Sequence, residues 1–469
     1  MSPWSDAPTA LGAALLTAVL GGCVAGPNFV PPSSAAPDRY TAAPGAQPPP
    51  EPSSAWWLAL RSPRLDATIR EALAHNRDLA AARSTLAQMQ ALAAASEGAE
   101  YPRLDLDASA GRQKYGAAFL GPENLPPFTF YSVGLGVSYL FDFAGGVRRT
   151  VEQQRALAVA QQHEVEAAAL AVSGNVAREA LAAASARAQI ENVEALLSDD
   201  DQNLKLVQDA FEAGSANRVD VLNARSQRAN DQTLLPALRR ELSTAEHALA
   251  LLVGERPAAW SAPDFRLEEF APPSSVPQTL PAELAHRRPD ILAAEAQLHA
   301  ATAAIGVAAA NLYPQISLTA TASLQSTVLH TLFDSSSHAA GLSGSLTQPL
   351  FDHGALRARR RAAEQAMQAS LANYQQVVLH SFGQVADALE ALDQDQALLD
   401  SEQSAVAISG ENLGLTRASY SAGNTGVLQV LEAQRQSQQA RLGLVRAQAQ
   451  RFEDGIELQL ALGGRVPEG

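Results

Sequence analysis

Cysteine, aromatic residues and positive charge are all scarce in this chain of 469 residues. A single cysteine excludes any intrachain disulfide. The formal net charge of −15 argues against a nucleic-acid partner, because phosphate binding requires a basic face. Only 5% of residues are aromatic while 46% are apolar, so the apolar share is mostly Ala, Leu and Val, a composition typical of long helices.

Recognisable catalytic and metal-binding patterns are also missing. The nine histidines are scattered and show no metal-ligand spacing. Nucleophile elbows and phosphate-cradling glycine loops do not occur. The sequence therefore predicts no enzyme, no metal site and no cofactor. Asp199-Asp200-Asp201 lacks the glycine turn and distal glutamate of a calcium loop, which favours a solvated helix face.

The amino terminus has the pattern of an exported, acylated protein. The apolar run from Ala10 to Leu20 is too short for a membrane span, and Gly21-Gly22-Cys23 follows it. We expect residues 1–22 to be a lipoprotein signal peptide, Cys23 to carry covalent lipid, and residues 23–55, rich in Pro, Ala and Ser, to form an extended tether. An ordinary signal peptide with an incidental cysteine is the alternative. No Lys or Arg precedes the apolar run, which leaves the true translation start open.

The chain contains an internal duplication of roughly 200 residues, far longer than a solenoid repeat. Matching residues recur in the same order and at one constant offset. The first set is Asn203-Leu204, Phe211, Gly214, Val221-Leu222, Ala224 and Gly254, and the second is Asn412-Leu413, Tyr420, Gly423, Val430-Leu431, Ala433 and Gly463. We expect repeat 1 over 56–257, a Pro-rich connector over 258–281, and repeat 2 over 282–469.

Each repeat contains one pair of segments with the period of a β-strand. Apolar and polar residues alternate over 103–111 and 130–141, and again over 315–325 and 340–350. One face of these strands is small and polar, the other apolar. The polar positions predicted to line water are Asp105, Asp107, Ser132, Ser138, Thr319 and Thr321.

Long helices fill most of the remaining sequence. Residues 146–211 and 354–420 are nearly free of proline and glycine, and a helix of such length reaches about 100 Å. A single globular domain does not hold such a helix, so neighbouring helices must support it in a coiled coil. Return helices are predicted over 218–254 and 427–462, and Arg64 to Ala95 is predicted as a helix before the first strand.

The predicted strands require an assembly. Four strands of about ten residues can cross a bilayer, but the smallest membrane barrels have about eight strands. An unclosed sheet would leave backbone groups unpaired in hydrocarbon at a cost of roughly several kcal/mol each. Three copies give about twelve strands, enough to enclose a lumen. The predicted fold class is mainly α with a transmembrane β-barrel shared by a homotrimer.

Several stretches resemble the outer-membrane efflux protein family, the TolC-type channels, and within it the OprM-like and NodT-type lipoproteins of multidrug efflux systems. The similar stretches include Arg288-Pro289-Asp290-Ile291, Tyr313-Pro314-Gln315-Ile316, and Ala418 to Gly423 followed by Val427 to Leu431. The resemblance covers Cys23 to about Arg465. It implies a twelve-stranded barrel above a helical barrel, in a trimer that docks on a periplasmic adaptor and an inner-membrane pump of the RND class.

The resemblance also implies a place for the gate. In the family, adaptor contact and the closed gate lie at the tips of the two helical hairpins. The corresponding residues here are Asp209, Phe211, Gly214, Arg218, Asp220, Tyr420, Gly423, Asn424 and Thr425. Thr425 stands where multidrug members often carry an aspartate, so an acidic gate is not expected at that position.

Three other functions remain as alternatives at this point. A duct for type I protein secretion belongs to the same family. A periplasmic adaptor lipoprotein would share the long hairpins but lacks duplicated strand pairs. A lipoprotein enzyme has no supporting motif. The cargo is not readable from the sequence, although acidic residues in the lumen favour a mild cation preference.

Overall fold

The computed structural model describes residues 24–32, 55–114, 126–271 and 287–464, and these ranges are mostly helical. The predicted signal peptide, Cys23 and most of the predicted tether lie outside them. The helices are α1 (Pro63–His75), α2 (Arg77–Glu97), α3 (Gly146–Glu212), α4 (Arg218–Gln232), α5 (Leu234–Val253), α6 (Pro289–Ala310), α7 (Ala355–Ser421) and α8 (Val427–Ala461). The strands are β1 (Arg103–Gln113), β2 (Phe128–Phe141), β3 (Gln315–Ser326) and β4 (His338–Thr347).

The first of two compact units comprises the described residues of Met1–Ser33, Thr85–Gln161 and Ala293–Tyr374. Its centre is one four-stranded antiparallel sheet in the order β1-β2-β3-β4. The duplicated strand pairs therefore join through β2 and β3, and β1 and β4 are the two edges. β4 ends at Thr347, so the prediction of a strand to residue 350 is wrong. Pro349 explains the early end, because proline lacks the N–H that a strand donates.

The second unit comprises the described residues of Ser34–Ser84, Gln162–Leu292 and Gln375–Gly469. Its main core packs the Trp56–Leu60 turn and α1 against the middle of α3 and the end of α5. Ala177, Ala180 and Ala184 of α3 are fully buried there, so the backbones approach closely. Phe265, Leu267 and Phe270 complete this core. The predicted connector is therefore in part a core element.

Two of the predicted helices are each divided into two in the structure. One is divided at a residue whose side chain caps the next helix, and the other shortly before a proline. The helix predicted from Arg64 to Ala95 is two helices, because Asn76 is extended. Its side chain accepts from Leu79 N at 3.0 Å and donates to Leu252 O at 2.9 Å. The return helix of repeat 1, predicted as one helix over 218–254, breaks at Thr233, three residues before Pro236. The return helix of repeat 2 is continuous.

One helix, α6, is long and apolar enough to cross a membrane by length and composition. Half of its apolar window is buried within the protein. Such burial is typical of a core helix, and α6 carries several of the fully buried residues, among them Ile291 and Ala303.

Candidate functional site

The strand register places all six predicted pore-lining residues on one face of the sheet. Asp105 pairs with Gly136, which pairs with Thr321, and Ser138 pairs with both Arg103 and Thr319. Asp107 lies two residues after Asp105, and Ser132 lies six residues before Ser138, so both point to the same face as these residues. The same register adds polar residues that the sequence analysis did not name: Ser317, Ser323, Gln325, Ser343 and Ser345.

The two aspartates of this polar face differ in their partners. Asp105 accepts from Arg103 Nε at 2.8 Å, so much of its charge is neutralised. Among the described residues, no ion pair is formed by Asp107. Asp107 is therefore the stronger source of negative potential on this face.

The opposite face is apolar and exposed in the single chain. Leu104, Leu106, Leu318, Leu342 and Leu346 lie on it, and Leu106 and Leu342 are 72% and 85% exposed. Exposed leucines at successive positions across a whole sheet need an apolar surrounding. A lipid bilayer supplies it, and the polar face then meets water.

The two helical hairpins end in matching turns. Gly214 and Gly423 have φ of +75° and +76°, a conformation that glycine adopts without strain. Ser215 N donates to Ala210 O at 2.8 Å, and Asn424 N donates to Ser419 O at 3.0 Å. The duplication therefore extends to the hydrogen bonds that close each helix.

The helices that leave the two turns begin differently. Asn217 caps α4 by accepting from Asp220 N, and Asp220 accepts from Asn217 N, both at 3.0 Å. This capping box occupies the Asp220 carboxylate that the sequence analysis proposed for a gate contact. The corresponding helix of repeat 2 starts at Gly426 without a side-chain cap.

A small apolar cluster joins the two hairpin tips. Its buried members are Val207, Val221, Ala224, Val427 and Leu431, with Leu204 and Tyr420 packed against them. Tyr420 is thus a packing residue as well as a predicted gate residue.

Other predicted tip residues point outward. Asp209, Phe211, Arg218 and Asn424 are exposed, whereas Thr425 is half-buried. The Thr425 hydroxyl oxygen is shielded from solvent and has no hydrogen-bond partner among the described residues. An exposed set of polar side chains and one unsatisfied hydroxyl suit contact with another chain.

A buried acidic residue near the tips is the main correction to the sequence analysis. Asp200 is 2% exposed, so the expectation of a solvated helix face is wrong for it. Consecutive helix residues point in different directions, and the spacing Val193, Leu196, Asp200, Asn203, Val207 marks one buried face. This periodicity is the signal that could have found it.

Asp200 belongs to a polar network that links the two hairpins. Its Oδ1 accepts from Gln434 Nε2 at 2.9 Å, and Gln434 accepts in turn from Asn203. Its Oδ2 has no donor in the part of the chain that the structure describes. Burial, followed by the carboxyl group of Asp231, raises the pKa of Asp200 to about 7. Arg228 and Arg417 pair with the flanking Asp201 and Asp199 rather than with Asp200.

A second buried carboxyl has a similar setting. Burial and then a hydrogen bond with Asp454 raise the pKa of Asp395 to about 7, while nearby Arg451 acts in the opposite direction. The duplication places Ala186 and Ala245 at the corresponding positions of repeat 1, and both are buried. The acid pair is therefore a feature of repeat 2 alone.

Within the part of the chain that the structure describes, no group of three or more His, Cys, Asp or Glu side chains is arranged to hold a metal ion.

Comparison with known proteins identifies the family. The family model described as outer membrane efflux protein matches residues 68–255 and 280–464, most of the chain. The chain belongs to the outer membrane efflux protein family. The two matched segments correspond to the two repeats, and the family's members are channel proteins rather than enzymes.

Similar proteins cover nearly the whole chain. The pyoverdine export outer membrane protein OpmQ of Pseudomonas aeruginosa is 29% identical over 452 residues, 95% of this chain and 94% of that protein. A probable outer membrane lipoprotein, SilC of Salmonella typhimurium, is 29% identical and covers 95% of this chain and 96% of its own. The solved outer-membrane channel OprN superposes with a TM-score of 0.88 at 27% identity, covering 94% of this chain and 99% of its own.

These findings fix the general role and location. The protein is an outer-membrane channel of a tripartite efflux system, and its location is the outer membrane. The alternatives of a secretion duct and a periplasmic adaptor find no support among these relatives.

Proposed function

We propose that three copies of this chain form a passive exit duct, closed by pairing β1 of one copy with β4 of the next. The observation that carries this proposal is the two-faced sheet with two free edges. Edge groups left unpaired in lipid cost roughly several kcal/mol each, so edge-to-edge closure is strongly favoured. The duct itself consumes no energy, and an inner-membrane pump drives transport.

The polar face lines the lumen of this duct and Asp107 gives it a mild cation preference. Replacing Asp107 by Asn is expected to lower the cation-to-anion permeability ratio measured with purified channels in a planar bilayer, and Asp107→Lys is expected to invert it. Asp105→Asn is expected to have a smaller effect, because Arg103 already compensates Asp105.

A matched control for this experiment is Asp78→Asn. It removes the same charge from the exposed first turn of α2, outside the sheet. An anion preference in the unmodified channel, or equal effects of Asp107→Asn and Asp78→Asn, would refute the luminal assignment of the polar face.

The hairpin tips are proposed to form the closed gate and the docking site for a periplasmic adaptor. Support comes from the exposed Asp209, Phe211, Arg218 and Asn424, and from the unsatisfied hydroxyl of Thr425. Arg218→Ala and Thr425→Val are expected to raise the open fraction of single channels. Arg225→Ala, an exposed arginine further along α4, is the control, and an open fraction that is the same in all three variants would exclude the gate role.

The remaining identities are proposed on the family resemblance and the names of the relatives. Cys23 carries the lipid anchor, the pump is of the RND class, and the cargo is a small molecule. Mass measurement of the mature chain tests the first of these. Co-purification of the neighbouring pump and adaptor after cross-linking in intact cells tests the second.

A further inference from the structure

The described residues 24–32 are not a free tether. Ala25 N donates to Ala144 O at 2.9 Å, directly after β2 and before α3. Phe29 stacks on His299 with ring centroids 4.4 Å apart and an interplanar angle of 12°. The segment therefore follows a defined path on the body of the first unit, which corrects the prediction of an extended tether for these residues.

Arg149 is the centre of this contact. Its side chain is 4% exposed. Its guanidinium donates to Ala25 O at 3.1 Å and to Asn28 Oδ1 at 2.7 Å, and it pairs with Glu152 at 2.6 Å. The guanidinium of Arg149 thus binds both the N-terminal segment and Glu152 of α3, the helix to which Arg149 belongs. Burying an arginine without these partners would cost folding free energy, so Arg149 and the N-terminal segment stabilise each other.

Glu152 connects Arg149 to the aromatic contact. Its other oxygen lies 2.9 Å from His299 Nε2, and His299 carries the stacked Phe29. The pKa of the Glu152 carboxyl lies below its ordinary value, because the hydrogen bonds from His299 and Arg149 outweigh its burial. Glu152 therefore remains an anion that braces both Arg149 and His299.

Two glycines provide the space for the segment. A Cβ on Gly26, whose φ is +86°, would lie 2.5 Å from Gly306 Cα. A Cβ on Gly306 would lie 2.7 Å from the Arg149 side-chain carbons. Backbone and arginine stem thus approach α6 at a distance that only glycine permits.

The duplication supplies an internal comparison. Asp142 accepts from Val147 N in repeat 1, and Asp352 accepts from Leu356 N in repeat 2, so the two helix starts correspond. The start of α7 carries Arg357, Arg359, Arg360 and Arg361, and all four are exposed. Of these two helix starts, the one that meets the N-terminal segment is the one that buries an arginine.

We propose that Arg149, braced by Glu152 and His299, is the positioning residue for the membrane anchor, and that it seats residues 24–29 so that the lipid on Cys23 is held beside the junction of β2 and α3. The inference rests on the proposed acylation of Cys23. Val24, the residue after Cys23, lies against Gly145, where a Cβ would be 2.9 Å from its side chain. Because β2 crosses the membrane in the proposed duct, the contact of Arg149 with residues 24–29 sets the lipid anchor at the membrane depth where β2 ends.

The test uses the full-length lipidated protein in nanodiscs. A fluorophore is placed on Val30→Cys, a position that is 76% exposed, and its anisotropy reports the motion of the segment. Arg149→Ala is expected to release the label and to speed proteolysis within residues 24–32 roughly tenfold, while lipidation is unchanged. Arg148→Ala changes the neighbouring, exposed arginine, which pairs with Asp142 and not with the N-terminal segment. It is the control and should leave both readouts unchanged.

A second variant distinguishes loss of this contact from misfolding of the protein. Asn28→Ala removes the partner from the segment and leaves Arg149, Glu152 and His299 in place, and it should release the label in the same direction. A segment that stays equally immobile in Arg149→Ala and in Asn28→Ala overturns the proposal. Single-channel conductance is measured on the same samples, so a failure of the proposed duct is seen separately from a failure of the seat.

Discussion

At the scale of single residues, burial decides which charges the channel uses and which it hides. Asp200 and Asp395 are nearly inaccessible, and each has one carboxylate oxygen without a donor. Both have a pKa raised to about 7, chiefly by burial. Composition and net charge do not reveal such sites, because a helix exposes some aspartates and buries others. Helical periodicity is the sequence signal that could have indicated the burial of Asp200. It does not reveal that Asp231 lies beside Asp200, or that Asp454 lies beside Asp395.

The raised pKa values predict a pH-dependent stability. An aspartate at the ordinary value of 3.8 has lost its proton above about pH 4 in the unfolded chain, whereas Asp395 in the folded chain keeps it to about 7. Rising pH therefore lowers stability across this window, and the loss is complete above it. Asp395→Asn should raise the melting temperature at pH 8 and change it little at pH 4.

The matched variants for this prediction come from the chain itself. Asp395→Ala copies the residue found at Ala186 in repeat 1, and Asp393→Asn alters an exposed neighbour. Asp200→Asn combined with Asp395→Asn should flatten the pH dependence further than either change alone. A melting temperature of Asp395→Asn that falls more at pH 8 than at pH 4 would contradict this prediction and show that the carboxylate form is the one stabilised.

At the scale of elements, the sequence predicted the strands and long helices well because their patterns are local. Alternation located β1, β2 and β3, and the absence of proline and scarcity of glycine located α3 and α7 within a residue or two. The break at Asn76 and the docking of residues 24–32 depend on tertiary hydrogen bonds. Such bonds join residues far apart in the chain, so local patterns do not contain them.

The start of α4 gives a prediction at this scale. The capping box of Asn217 and Asp220 satisfies two backbone N–H groups at the hairpin tip. Asn217→Ala should destabilise the tip by about 1 kcal/mol and accelerate hydrogen exchange in the first turn of α4. Gln429→Ala is a suitable control, because α8 of repeat 2 has no side-chain cap at its start. Unchanged exchange in Asn217→Ala would mean that other contacts hold this turn.

At the scale of the whole molecule, one chain provides a sheet with two chemically different faces and two free edges. The apolar face is not satisfied in water by a single copy, since its leucines are exposed. The family assignment and the sheet geometry agree on a shared barrel as the solution. The sequence indicated this assembly because the number of strands decides whether one chain can close a barrel, and local patterns give that number. The register between β1 of one copy and β4 of the next depends on both copies, so the sequence did not indicate it.

Disulfide cross-linking between the two sheet edges tests that account most directly. Cysteines are placed in one chain on β1, at Leu104, Leu106 or Ala108, and on β4, at Ala340 or Leu342, with Cys23 replaced by Ser if it is not acylated. Within one copy β1 and β4 are three strand spacings apart, roughly 14 Å, too far for a disulfide. Oxidation of the membrane-inserted protein should therefore give covalent dimers and trimers and nothing larger. Failure of every pairing to cross-link, or a ladder that continues beyond three copies, would contradict the trimeric barrel.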